Sequence, residues 1–158
     1  DTPDPRLDAT STSNAILQLQ RFVEGYPDSK YRKEAEEMIY TMNDRLVEKE
    51  VGTAELYYNM GNYLGNNYRS SIIVAQNALR DYPYTKYREK LSMLVLRAKF
   101  QMAQESVLDK RDERYRDAID EYYAFRNEFP ESEYMKEADK IFRTATKNLG
   151  NKNQIIED

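Results

Sequence analysis

The chain has 158 residues, 40% hydrophobic and 33% charged, with 24 Lys and Arg against 28 Asp and Glu for a formal charge of −4. That composition suits one folded domain, and the alternation of the two signs along most segments argues against nucleic acid as a partner. Cysteine and histidine are both absent, which removes disulfides, thiolate or imidazole metal sites, and the Ser-His and Cys-His nucleophile pairs.

In chain order, residues 1–12 read as an irregular lead-in whose "DTPDPRLDAT" lacks the basic start and apolar middle of a signal peptide. The spacing of Ile16, Leu19 and Phe22 predicts a helix over 13–25. It runs into "EGYPDSKY" at 24–31, a corner that returns as "RDYPYTKY" at 80–87 and "NEFPESEY" at 127–134. Aligned on Pro27, Pro83 and Pro130, the corners share an aromatic residue, the proline, a Ser or Thr two residues on and a Tyr four residues on. The proline cannot continue the helix before it, and Ser29, Thr85 or Ser132 can accept a bond from the free amides of the helix after it.

A long helix is predicted over 30–63. Ala35, Ile39, Met42 and Leu46 form one stripe, and Val47, Val51, Ala54 and Tyr58 form another about a third of a turn away. Its first half would then pack on 13–25 and its second half on the next helix, 69–81; a break near Gly52 is the alternative. "GNYLG" at 61–65 lacks the Lys and Ser/Thr of a phosphate loop and is better read as a Gly-terminated helix end. Further helices follow at 86–106, with Tyr87, Leu91, Leu94, Ala98 and Met102 on one face, at 114–128 after a loop at 107–113, and at 133–149, where Ala138, Ile141, Phe142, Ala145 and Leu149 share a face. Residues 150–158 read as a polar tail. The densest charge cluster, "DKRDERYRD" at 109–117, balances acids against bases.

Counting back from each proline, small residues stand at −12 (Ala15, Ser71, Ala118), Ile at −11 (Ile16, Ile72, Ile119) and apolar residues at −8 and −5. This pattern resembles the second helix of a tetratricopeptide repeat, and Tyr68 and Tyr115, fifteen before their prolines, fit it too. The expected fold class is therefore all-α, a right-handed α-solenoid of irregular tetratricopeptide-like helix hairpins over 13–149. The corners lie further apart than the ~34 residues of a regular array. Because a repeat cannot bury its apolar face alone, a first helix with no partner ahead of it suggests a solenoid continuing upstream, so that the chain would be the C-terminal part of a longer protein.

Positions −10 and −9 point away from that stripe. They read Leu17-Gln18 and Asp120-Glu121 in the outer repeats but Ile73-Val74 in the middle one. Leaving two large aliphatics outside forgoes roughly 1.5 to 3 kcal/mol each, so Ile73, Val74 and Asn77, rimmed by Arg69 and Arg80, are a candidate protein-docking surface. The alternative is that Ile73 and Val74 pack inside the domain. Among the 14 tyrosines, Tyr57, Tyr58 and Tyr63 near one helix end could line a peptide groove or fill space between helices.

"FVEGYPDSKYRKEAEEMI", "DRLVEKEVGTAELYYNMGNYLGNNYRSS" and "ALRDYPYTKY" together resemble the BamD/YfiO family of outer-membrane assembly lipoproteins over about residues 13–106. The resemblance implies a non-enzymatic scaffold on the periplasmic face of a bacterial outer membrane, held by a lipid on an N-terminal cysteine that this chain does not contain. It further implies docking to the POTRA domains of a BamA-type barrel subunit, with neither cofactor nor metal. The resemblance also implies an arginine at the position of Val74, so an apolar contact would replace a salt bridge here. Two other readings are a periplasmic tetratricopeptide adaptor of another cell-envelope pathway and a carboxylate-based sugar hydrolase. The latter needs two inward carboxylates roughly 5 to 9.5 Å apart, which repeat spacing does not predict.

Overall fold

A computed structural model describes residues 5–150, with side chains from Ala9 onward. The described residues form six helices, α1 (Pro5–Gly25), α2 (Arg32–Met60), α3 (Asn67–Asp81), α4 (Arg88–Gln104), α5 (Leu108–Glu128) and α6 (Met135–Gly150), and contain no strand. Among the described residues each helix packs on its successor, and beyond that only α2 meets α4 and α4 meets α6.

Cross-links fix the directions. Ser71 Oγ of α3 donates to the Ala54 carbonyl of α2 at 2.7 Å, and Tyr68 lies over Gly61, so α2 and α3 run antiparallel. Lys90 of α4 pairs with Glu55 at 3.1 Å, while Asn62 just past α2 bonds Glu105 just past α4, so those two helices run parallel. The same holds one step on. Lys99–Glu121 at 2.8 Å and Arg88–Glu128 set α4 against α5, and Arg97–Glu137 aligns α4 with α6. The result is a stack of antiparallel hairpins in which alternate helices share a direction.

The three corners that share a sequence also share their bonds. Tyr26, Tyr82 and Phe129 donate backbone N–H to Phe22, Ala78 and Phe125, ending the helix before. Tyr82 and Phe129 take φ −131° and −127°, out of the helical region from which a following proline excludes them. Ser29, Thr85 and Ser132 then accept N–H from Tyr31, Tyr87 and Tyr134 at 3.2, 3.2 and 3.0 Å. These hydroxyls serve the residue ahead of the helix, so α2, α4 and α6 start at Arg32, Arg88 and Met135, two residues later than the spacing predicts. Two of the hydroxyls also donate backwards across the stack: Thr85 to Asp44 at 2.9 Å and Ser132 to Glu89.

Three expectations need correction. Residues 5–12 are helical rather than an irregular lead-in and continue into 13–25 as one helix, since polar residues form helix without the apolar stripe by which one is recognised; residues 1–4 lie outside the described residues. The loop expected at 107–113 is also largely helix, because α5 begins at Leu108 and only a short link around Ser106 and Val107 remains. Balanced charges such as those of 109–114 form a helix readily; what they lack is the apolar stripe by which a helix is recognised. Gly150 belongs to α6 rather than to the tail, and 151–158 lie outside the described residues. Helix α2 runs unbroken through Gly52.

The core is organised around α4. Leu91, Leu94, Val95 and Ala98 pack with Val47, Val51 and Ala54 of α2 and Ile72, Ala75 and Ala78 of α3. On its other side Met93, Leu96, Phe100 and Ala103 pack with Tyr115, Ala118, Tyr122 and Phe125 of α5 and Ala138, Ile141 and Ala145 of α6. Leu91, Met93 and Leu96 are wholly buried. By contrast, among the described residues α1 packs on α2 alone, with Ile16 buried and Leu19 and Phe22 half-buried. The small residues Ser71 and Ala118 are fully buried, letting α3 and α5 approach the preceding helix closely.

Two glycines behave in opposite ways. A Cβ on Gly52 meets nothing within 4 Å, and helix interiors disfavour glycine, so Gly52→Ala raises stability by about 0.5–1 kcal/mol. Gly61 has φ +55° and a Cβ there would come 2.9 Å from the Tyr68 hydroxyl, so Gly61→Ala lowers stability by about 1–3 kcal/mol. Urea unfolding of both variants checks the pair of signs.

Candidate protein-docking surface

On α3 the residues Tyr68, Ser71, Ile72, Ala75 and Ala78 face inward. Arg69, Ile73, Asn77 and Arg80 follow one another at helical spacing on the opposite side and are all exposed, Ile73 at 51%. The helix is started by Asn66, whose side chain accepts from the Arg69 N–H at 3.1 Å. Val74 departs from the expected outward position: it is half-buried and packs against the cluster shared by α2, α3 and α4. The equivalent position of α5 turns in too, since Glu121 there pairs with Lys99. Position −9 thus turns towards a neighbouring helix in α3 and α5, while Gln18 at that position of α1 is exposed, and position −10, which is Leu17 in α1, is exposed in all three.

The structure does not gather Tyr57, Tyr58 and Tyr63 into one groove. Tyr63 projects from the α2–α3 loop, 68% exposed, and Tyr57 is half-buried. Tyr58 meets Tyr68 edge-on, with ring centroids 5.7 Å apart, and of the three it alone lines a cleft of about 300 Å³ between α2, α4 and α6. Burial pushes its phenol up. The neighbouring Tyr68 phenol, buried and donating to Glu105 at 3.1 Å, rises to about 12.

The rest of that cleft was not legible as a site in the sequence. Phe100 and Ile141 form its apolar floor, with Gln101, Gln104 and Lys140 around it. Arg97 makes two bonds of 2.6 Å to Glu137, and its guanidinium lies 5.2 Å from the centre of the Tyr134 ring. That hydrogen bonding raises Arg97 and lowers Glu137 from their ordinary values. The one available signal was the second stripe of α4, Met93 to Phe100, which places Arg97 beside a buried face.

No helix among the described residues is long and apolar enough to cross a membrane, and no group of three His, Cys, Asp or Glu side chains among them could hold a metal ion. The class defined so far is an all-helical stack whose outward features are apolar and charged side chains on rigid helices. The chain belongs to the YfiO family of outer membrane lipoproteins, whose family model matches residues 2–95. That match takes in α1 to α3 and the first half of α4, including the whole α3 surface. No curated protein matches the chain.

A depressed carboxyl holds its proton less tightly folded than unfolded, so the stability Glu137 contributes is present at neutral pH and is lost as pH falls through the carboxylate range. Both partners are partly exposed, so Glu137→Gln costs at most about 1 kcal/mol at pH 7. The variant also shows a shallower fall in melting temperature on acidification than the parent, measured by calorimetry from neutral to acid pH.

Proposed function

We propose that this chain is a non-enzymatic scaffold subunit of the outer-membrane β-barrel assembly machinery, docking the POTRA region of a BamA-type barrel subunit through the outer face of α3. The observation that carries the reading is the family match across that helix. The family is one of outer membrane lipoproteins, and in this reading a lipid anchor holds the chain at the periplasmic face, where it meets its partner. A right-handed, tetratricopeptide-like solenoid is part of the same reading, supported by hairpins in which each helix meets only its near neighbours and by three corners with one bonding scheme.

The physics of the surface favours a protein partner. An exposed isoleucine on a rigid helix, rimmed by Arg69 and Arg80, offers an apolar anchor with charged edges, the usual anatomy of a hot spot. Its burial by a partner would recover roughly 1.5 to 3 kcal/mol.

The test is capture of a purified POTRA fragment by the intact chain, read by calorimetry. Ile73→Asp weakens capture at least tenfold while leaving the melting temperature unchanged, whereas Val74→Asp lowers stability by about 1–3 kcal/mol because it buries a carboxylate against the core. Unimpaired capture by the Ile73 variant would remove α3 as the docking face. Failure of the parent chain to bind would instead favour an adaptor of another envelope pathway.

A further inference from the structure

We propose that the cleft at the second proline corner receives an arginine side chain presented by a partner protein, whatever docks on α3. The cleft has a volume of about 230 Å³ and is lined by Tyr40, Asn43 and Asp44 of α2 and by Asp81, Tyr82 and Tyr84 of the corner. Small-molecule sites run roughly 300–1,000 Å³, so this one suits a single inserted side chain.

Two of its walls are aromatic beyond what the fold requires. Tyr84 stands where the other corners carry Asp28 and Glu131, takes no part in the shared corner bonds, and is 87% exposed. Tyr40 on the facing helix is 61% exposed. Tyr82, also in the lining, is half-buried. Both fixed charges in the lining are negative: Asp44, which accepts from Thr85, and Asp81. The Tyr82 phenol registers that field, being pushed up first by burial and then by Asp81 and Glu50.

The neighbouring cations do not fill the cleft. Arg80 touches Asp81 at 3.1 Å, but both side chains are well exposed, so the contact is readily exchanged. The Lys86 ammonium lies 5.3 Å over the Tyr87 ring, and Arg45 is exposed one residue from Asp44; none of the three lines the cleft. A guanidinium matches the remaining features better than an ammonium does, because its flat, weakly hydrated fork can stack on tyrosine while donating to a carboxylate. The third corner supplies an internal contrast. Its cleft, about 490 Å³, is lined by Glu89, Glu128, Glu131 and Glu133 but places an acid at the position of Tyr84.

The test titrates the full chain with a capped Gly-Arg-Gly peptide and its lysine counterpart, following backbone amides by NMR. Shifts should centre on residues 40–44 and 81–85, with arginine binding at least threefold tighter than lysine. Tyr84→Ala and Asp81→Asn should each weaken the arginine peptide about three- to tenfold, with circular dichroism and melting unchanged, as expected for one cation–π or charged contact. Tyr40→Ala provides an independent wall variant with the same expected loss. The proposal is overturned by no binding, by shifts centred on Glu131 and Glu133, by equal affinity for the two peptides, or by indifference to all three substitutions.

Discussion

The two-sided burial of α4 is the constraint from which the rest follows. A helix hairpin has one apolar face and nowhere to put it, and α4 solves that problem twice, once towards α2 and α3 and once towards α5 and α6. Because its Leu91, Leu94, Val95 stripe and its Met93, Leu96, Phe100 stripe occupy different sides, the two clusters are joined through one rigid rod. Position is thereby transmitted along the stack without direct contact between the outer hairpins.

The corners set how each hairpin is laid on the last. Proline removes a backbone donor and excludes the preceding residue from helical geometry, and the hydroxyl two residues later organises the reversal. When Thr85 and Ser132 reach back to Asp44 and Glu89, the corner is bonded to the helix two elements earlier. Equivalent tyrosines do similar work at the other end: Tyr68 donates to Glu105, and Tyr115 accepts from Asn148 at 2.8 Å. Such repeated bonds give the helices fixed offsets. They also leave room for variation, since a residue outside the bonding scheme, such as Tyr84, can change without disturbing the turn.

What distinguishes one repeat from another lies off the shared scheme. Ile73 occupies an outward position that is Asp120 in α5, and the two surfaces differ in chemistry on the same backbone. The cleft between α2, α4 and α6 has the Arg97–Glu137 pair in its lining, and Arg97 lies over the Tyr134 ring, so these polar groups are held by helices rather than by a loop.

The sequence by itself determined the helical class, the three corners and most of the inward stripes, because proline, small residues at −12 and apolar residues at helical spacing act locally and leave a periodic trace. It also separated the two stripes of α2, of which Val47, Val51 and Ala54 pack with α3 and α4. Only the tertiary structure decided that residues 5–12 and 108–113 are helical, since segments of polar and charged residues fold as helix without an apolar stripe to announce it. It alone turned Val74 inward and left Ile73 outside, divided Tyr57, Tyr58 and Tyr63 among separate surroundings, and brought Arg97 to Glu137 across 40 residues. Those outcomes depend on how far one helix is rotated and shifted against another, a quantity set by the sum of many packing contacts and carried by no single stretch of chain.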